Sequence, residues 1–510
     1  MSQTASTGAD PYVLASLAVY LLILVGISLA ALRGYTDTLD GYFLGDRRMK
    51  DYVVALSAVV SGRSAWLIVG VSGMAYAQGL SAVWAVPGYI LAELWMFFFL
   101  AGRLRRFTGM KGDLTLPDFF ESRFADSTRI LRIAAVAIVA IFMIAYVSAQ
   151  FSAGGKALGA SFGLGYETAL WITAAIVLTY TLIGGYFAVA WTDVVQAVLM
   201  LLALVILPVK AVADYGGIGP LVRDLAALDP GLLDPWGAGI AAVVGFLAIG
   251  LGSPGNPHIL VCYMSVDRPS RLRRAAVIGT LWNVLMAWGA LYAGLVGRAF
   301  FPETGMLPGA DTENLFPLLG QTHLHPFLFG LVIAAILMAI MSTADSQLLV
   351  FTSALTRDLY QKLSRRGAAA TQRVLVLLSR AAVVVGVLLA GALAVTAEEL
   401  VFWLVLFAWA GLGAAFGPAM VLSLFWARTT RAGVLAGFGV GTGVVFVWRL
   451  VEPLRGLIYE LVPGFLAAMT AIVVVSLLTR PPPSADDDLR AITPRYRPRE
   501  RGGPDSTGSP

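Results

Sequence analysis

Three ionisable residues of this chain lie in or at the edge of long apolar runs: Arg63 in ALSAVVSGRSAW, Asp193 in AWTDVVQA and Asp345 in AIMSTADSQ. Next to Asp345 are two adjacent hydroxyls, Ser342 and Thr343. Hydroxyl and carbonyl oxygens suit a hard cation such as Na+, and a guanidinium suits a carboxylate, whether on a solute or on the protein. A hydroxyl inside a membrane also bonds its own helix or a neighbour, so the Ser-Thr pair fits a packing role equally. The sequence has no nucleophile beside a paired base and no phosphate-cradling loop. Its histidines (His258, His323, His325) lack zinc-ligand spacing, and the single cysteine, Cys262, can form no internal disulfide. This inventory implies binding of a small solute and an ion rather than enzymatic chemistry, with no cofactor and no metal other than Na+.

The elements that must carry these residues are membrane spans. Of 510 residues, 58% are hydrophobic and 13% charged, against about 25% charged in soluble domains. Apolar runs long enough to cross a hydrocarbon layer as helices recur throughout. They are placed near 12–32, 51–76, 82–102, 130–153, 165–187, 193–214, 237–262, 275–300, 325–352, 374–397, 400–426, 432–450 and 459–478. This predicts an all-α polytopic protein of thirteen spans with its termini on opposite sides of the lipid bilayer.

The net charge of +5 sits in clusters between alternate spans, such as Arg103, Arg105, Arg106 and Lys111, then Arg268, Arg271, Arg273 and Arg274. The pattern reads as topology and not as a nucleic-acid surface, with the N-terminus outside and the C-terminus cytoplasmic. MSQTASTGADPYV has no basic n-region or cleavage site, so the first run reads as a retained span. The expected organisation is an extracytoplasmic segment 1–11, a membrane domain 12–478 and a cytoplasmic tail 479–510. The tail is rich in Pro, Gly and charge and is expected to be disordered.

Two spans carry breakers where backbone hydrogen bonding matters most. The seventh contains GLGSPGNPH, Gly250 to His258, and the second contains SGRSAW, Ser61 to Trp66. Broken backbone is tolerated inside a membrane only where it lines a cavity or is buried in protein. Setting the first span aside, these are the first and sixth helices of a core, as expected for two five-helix halves (about 51–214 and 237–426) related by an inverted repeat. Such cores bind solute and ion near the midplane. Arg63 lies roughly 18 Å from either end of its span, so it requires a wet cavity or a carboxylate partner. Asp345 is the nearest partner expected, with Asp193 reachable through water, and a purely structural ion pair is the other reading.

Taken together, DGYFLGDR, ALSAVVSGRSAW, LTLPDFFESRF, RILRI, YETALW, IGGYFAVAWTDVVQA, GNPHILV, MSTADSQLLV and TRDLY resemble the sodium/solute symporter family from about residue 40 to 360. The sodium/proline branch is the most similar. The resemblance implies a core of the leucine-transporter type and uptake of a small organic solute, proline or a related amino acid, coupled to Na+. It also implies a Na+ site at Val60, Arg63, Ala339, Ser342 and Thr343, with Asp193 matching a family acidic residue associated with Na+ transport. Location in a bacterial-type inner membrane follows.

The chain departs from that branch at two places. Gly62-Arg63 stands where the branch has Asp-Met, so a carboxylate is lost and a fixed cation gained. Three outcomes are open: Arg63 replaces the ion, making transport Na+-independent or proton-coupled; it pairs with Asp345; or it binds a solute carboxylate. In the seventh span, Ile249 and Ser253 stand where the branch has Trp and Tyr, and Asn256 precedes Pro257 where it has Gln. Ser64, Trp66, Tyr146 and Gln150 are the remaining candidates for the solute lining, with packing the other role for Trp66 and Tyr146. A non-transporting membrane sensor is the alternative class, although the tail is shorter than the ~50 residues of a small signalling domain.

Overall fold

The computed structural model describes residues 10–31, 38–396 and 399–493. Among them every regular element is helical, and extended pairing is limited to one bridge between Met49 and Val266. The helices used below are α1 (Pro11–Ala31), α2 (Asp51–Ala65), α3 (Pro87–Trp95), α4 (Ala101–Lys111), α5 (Leu116–Phe124), α6 (Ile130–Phe162) and α7 (Tyr166–Asp214). After them come α8 (Gly239–Leu247), α9 (Pro257–Ser265), α10 (Leu272–Phe300), α11 (Pro326–Ser353) and α12 (Gln372–Val395). The last four are α13 (Val401–Phe425), α14 (Arg431–Leu450), α15 (Leu461–Leu478) and α16 (Ala485–Ile492). Nine helical stretches among the described residues are long and apolar enough to span a membrane, and a tenth is formed by Gly239–Gly255 and Pro257–Ser265, bent by 52°.

Two elements are longer than a single crossing needs. Asp51–Lys111 is a stretch of 61 residues. The 49 residues of α7 would reach roughly 74 Å if straight, over twice the hydrocarbon thickness. The Tyr180 hydroxyl nonetheless meets Thr192 Oγ1, although residues twelve apart on a straight helix are separated by about 18 Å. The element therefore folds back on itself. Both its ends reach one pole of the molecule, where Tyr166 donates to the Ala394 carbonyl (2.9 Å) and Asp214 meets His323 (3.0 Å).

That pole holds few basic residues, and Lys156 is neutralised there by Asp311 (2.8 Å) and Glu313 (2.7 Å). At the opposite pole the arginines tie loops together. Arg103 donates to the Leu424 carbonyl (2.9 Å), Arg105 to that of Val266 (2.7 Å), and Arg431 pairs with Asp126 (3.1 Å). Thr115 caps α5 by accepting from the Asp118 amide. Asp118 then takes Arg132 (2.7 Å) and Arg357 (2.8 Å), and Arg132 also meets Glu121 and Asp358. Burial works against an ionised Asp118, yet Arg357 and Arg132 hold its carboxyl at about 2. Nearby Asp113 is pushed up to about 7 by burial, opposed only in part by the Ser122 hydroxyl at 2.7 Å.

The tail differs from expectation. Residues 485–492 form α16, with acidic Asp486, Asp487 and Asp488 in its first turn, where they favour the positive end of a helix. Its buried Ala485 and Ile492 face the body, Asp488 pairs with Lys111 (2.9 Å), and Arg106 donates to the Ile492 carbonyl (2.8 Å). The sequence-based expectation of disorder gave weight to Pro and charge and missed two apolar anchors spaced two turns apart. Residues 1–9 and 494–510 lie outside the described residues.

The Asp113 carboxyl gives a pH prediction. Its folded value is raised, so the stability it contributes is full below about 4 and is lost as pH rises through about 7. Asp113→Asn keeps the Ser122 contact without that loss. Its melting temperature relative to the parent should rise steadily between pH 4 and 7; a pH-independent difference would contradict the assignment.

Candidate functional site

The two breaks meet at the centre of the molecule. In α2 the helix stops at Ser64, whose φ of 50° and ψ of −171° fall in a region that is essentially reserved for glycine and costs about 1–3 kcal/mol for other residues. The break redirects nearby backbone groups. The Ala65 amide leaves the helix ladder and donates to Gln150 Oε1 (3.2 Å), while the Trp66 amide donates to Ser64 Oγ (3.0 Å). Carbonyls of the preceding turn are thereby freed for other partners. Ser61 O accepts from Thr343 Oγ1 at 3.1 Å, and Val60 O lies 3.4 Å from the same hydroxyl.

Val60, Ser61, Ser342, Thr343 and Ala339 are fully buried. Ser342 Oγ donates to Ala339 O (3.3 Å), and Ser61 Oγ lies 3.1 Å from Ser346 Oγ and donates to Ser342 O (3.4 Å). This is a cluster of neutral oxygens at the negative end of the half-helix α2. Its contacts are long enough to be exchanged for a cation, and oxygen is the ligand type Na+ requires. The residues present therefore fit a Na+ ion.

Two carboxylates lie alongside. Asp193 Oδ2 accepts from Ser57 Oγ (2.5 Å) and Asp345 Oδ1 from the Ser346 amide (2.6 Å). Asp193 Oδ1 and Asp345 Oδ2 are buried without a hydrogen-bond partner among the described residues. Among the described residues, neither aspartate pairs with a basic side chain.

Arg63 is placed elsewhere than the sequence suggested. Its guanidinium, 1% exposed, pairs with Glu93 of α3 and not with Asp345 or Asp193. Nε donates to Asn283 Oδ1 (2.7 Å), Nη1 to Gly62 O (3.2 Å), and the Asn283 amide donates to Glu93 Oε2 (2.6 Å). The Tyr89 ring centre is 3.7 Å from the guanidinium carbon. The head group does not enter the oxygen cluster, so it does not stand in for an ion there. Sequence reasoning passed over Glu93, although a carboxylate in the middle of the apolar run ILAELWMFFFL was as visible as Arg63.

The second break, between α8 and α9, sets Asn256 in an extended conformation, with its side-chain amide donating to Gly252 O (2.8 Å). Trp409 of α13 crosses it, donating through Nε1 to the Ile249 carbonyl (2.8 Å). Tyr146 and His258 stand edge-on to one another with ring centres 5.7 Å apart, and Trp409 lies 6.4–6.5 Å from both. Trp66 stacks on Phe402 at 5.5 Å and meets Tyr89 edge-on. Several buried polar atoms here have no hydrogen-bond partner among the described residues: Gln150 Nε2, Trp66 Nε1, Ser253 Oγ and Asn256 Oδ1. Unpaired polar atoms among aromatic walls are the features of a small-molecule site.

Pro257 and His258 also line a cavity of about 20 Å³, room for about one water, that runs toward Thr115 and Asp358 at the basic pole. Of the expected lining, Ser64, Trp66, Tyr146, Gln150 and Ser253 gather at the breaks, Pro257 faces this cavity, and Ile249 contributes its carbonyl to Trp409. Trp409, Phe402 and His258 were not anticipated as site residues, nor was Asn283 as a partner of Arg63. Nothing in a single sequence indicates which aromatics of α13 cross the second break.

The backbone approach at the second break is close. A Cβ at Gly252 would lie 2.1 Å from Trp409 Nε1, whereas one at Gly439 would meet nothing within 4 Å. Gly252→Ala should therefore lower stability by about 1–3 kcal/mol through displacement of Trp409, and Gly439→Ala should be near neutral. Thermal unfolding of the two purified variants tests this; equal melting temperatures would contradict the packing described.

Comparison with known proteins identifies the family. The sodium:solute symporter family model matches residues 42–441. The chain is 39% identical over 455 residues to the high-affinity proline transporter PutP of Bacillus subtilis (strain 168), covering 89% of this chain and 95% of that protein. It is 39% identical over 479 residues to the sodium/proline symporter of Escherichia coli (strain K12), covering 92% and 94%. Among solved structures it matches a substrate-bound, outward-open Na+-coupled sialic acid symporter with a TM-score of 0.76 at 20% identity, covering 92% and 98%. The chain belongs to the sodium:solute symporter family and is a multi-pass membrane transporter, not an enzyme.

Proposed function

We propose that this protein carries proline, or an amino acid of closely similar shape, inward across the bacterial inner membrane together with Na+. The observation that carries this reading is the meeting of the two helix breaks, with the carbonyl freed at Ser61 beside the Thr343 hydroxyl and unpaired polar atoms of Gln150, Ser253 and Asn256 next to it. One half of the site suits a hard cation and the other a small polar solute. The two named proline carriers, similar along nearly their whole length, supply the solute.

In this reading Val60, Ala339, Ser342 and Thr343 hold Na+ through backbone and hydroxyl oxygens, with Asp193 and Asp345 supplying the nearby negative charge. Ser64, Trp66, Tyr146, Gln150 and Ser253 line the solute, joined by His258 and Trp409. Thirteen crossings result when Asp51–Lys111 and α7 each count as two, the bent pair counts as one and α1 is added. Two five-helix halves then follow α1, each beginning with a broken helix. The basic pole is cytoplasmic, by the bias of Lys and Arg toward that side. The Na+-independent alternative, with Arg63 in place of the ion, is disfavoured by the pairing of Arg63 with Glu93.

Mechanistically, Na+ at the end of α2 pins α2 to α11 across the Val60, Ser61 and Thr343 contacts. Because the Ser64 break follows directly, the ion and the solute wall share one backbone segment, which couples their occupancies. Release toward the basic pole requires the path beneath His258 to widen, and Asp358, which pairs with Arg132, lines that path.

The test is radiolabelled proline accumulation in proteoliposomes. An inward Na+ gradient should drive it, and an equal K+ gradient should not. Thr343→Ala should raise the Na+ concentration for half-maximal uptake by roughly tenfold, as for loss of about 1.4 kcal/mol of ion binding. Accumulation that is indifferent to Na+ would refute the coupling, and the absence of proline uptake under any gradient would refute the solute.

A further inference from the structure

The Arg63–Glu93–Asn283 cluster is no part of the ion or solute site, yet it borders both. Arg63 closes the last turn of α2, and its Nη1 already takes the Gly62 carbonyl (3.2 Å), next in sequence to the Ser61 carbonyl that meets Thr343 (3.1 Å). A bare guanidinium at that point would oppose any cation drawn to the same helix end, because like charges a few ångströms apart inside a protein repel strongly. Glu93 removes that opposition, and it does so from another helix, α3. Asn283 of α10 fixes the pair from a third, accepting from Arg63 Nε (2.7 Å) and donating to Glu93 (2.6 Å).

Every arm of the guanidinium is occupied within this cluster, and Tyr89 covers its face. The site of α2 therefore experiences a neutral pair rather than a cation. Among the described residues no other acidic side chain forms an ion pair with Arg63.

We propose that Glu93 is a positioning residue for cation coupling: by neutralising Arg63 and holding its head group away from the Val60 and Ser61 carbonyls, it keeps the end of the broken helix available to Na+. The proposal rests on the Na+-coupled reading above. It assigns to one carboxylate the compatibility of a fixed arginine with a Na+ site one turn away. Removing only Glu93 leaves the positive charge, and removing only Arg63 leaves a negative one. The two single variants must then shift Na+ affinity in opposite directions, a signature that loss of structure alone does not produce.

The experiment uses the full-length purified protein and needs no solute. Na+ is titrated against choline at constant ionic strength, and the rise in melting temperature is read as ion binding. Glu93→Gln should raise the half-saturating Na+ concentration by roughly tenfold or more, the scale expected for an uncompensated neighbouring charge. Arg63→Met should lower it, Arg63→Met with Glu93→Gln should return it to within about threefold of the parent, and Glu93→Asp should stay near the parent value. If Glu93→Gln is too unstable to purify, the lowered value of Arg63→Met and its return toward the parent value in the double variant carry the test. Single variants that shift in the same direction, or leave half-saturation unchanged, would overturn the proposal. A parent protein that Na+ does not stabilise would instead overturn the Na+-coupled reading on which it rests.

Discussion

Inside a hydrocarbon layer each backbone N–H and C=O must find a partner, because an unsatisfied group costs several kcal/mol. This chain breaks two of its spans against that constraint, and the centre of the structure is organised around the groups those breaks release. Gln150 takes the Ala65 amide, Ser64 takes that of Trp66, Thr343 takes the Ser61 carbonyl, and Trp409 donates to Ile249 across the other break. Apart from Ser64 of α2 itself, these partners come from α6, α11 and α13, so the helices around the breaks are held in register by the same bonds that shape the site. A ligand that offers the same chemistry can take these groups over, which is how a structural necessity becomes a binding site.

Charge is handled in the same economical way. The membrane interior holds Arg63, but Glu93 and Asn283 absorb it on the side away from the oxygen cluster. The aspartates are treated differently: Asp193 and Asp345 are buried with hydroxyl and amide donors and, among the described residues, no basic partner. Burying two carboxylates without a counter-charge is unfavourable, and a bound cation relieves it. The cluster at the basic pole is the opposite case, where Arg132 and Arg357 meet acids in direct pairs and join α5, α6 and the end of α11.

Much of this was legible in the sequence. Hydropathy indicated a helical chain of many apolar spans because the bilayer sets their length. The breakers at Ser61–Trp66 and Gly250–His258 located the centre, because Gly and Pro in a span are tolerated only where other groups repair the ladder. Arg63 is legible as a buried charge, but Asp345, the nearest partner expected among several open outcomes, is not the one it has, because the carboxylate it meets lies in α3, outside the motifs that mark the core. Which of several mid-span acids meets a given arginine depends on how helices rotate about their axes, and hydropathy carries no such information. The aromatic walls supplied by Trp409 and Phe402 were missed for the same reason. The tail helix was missed because composition outweighed the spacing of Ala485 and Ile492.

The central claim is that the ion and the solute occupy one connected site built from the α2 break. Thermodynamic linkage then requires each to strengthen the binding of the other by the same factor. Equilibrium binding of labelled proline to the purified protein, titrated with and without Na+, together with binding of labelled Na+ with and without proline, measures both factors. The account predicts two equal factors well above one. Proline affinity that is identical in Na+ and choline would contradict it.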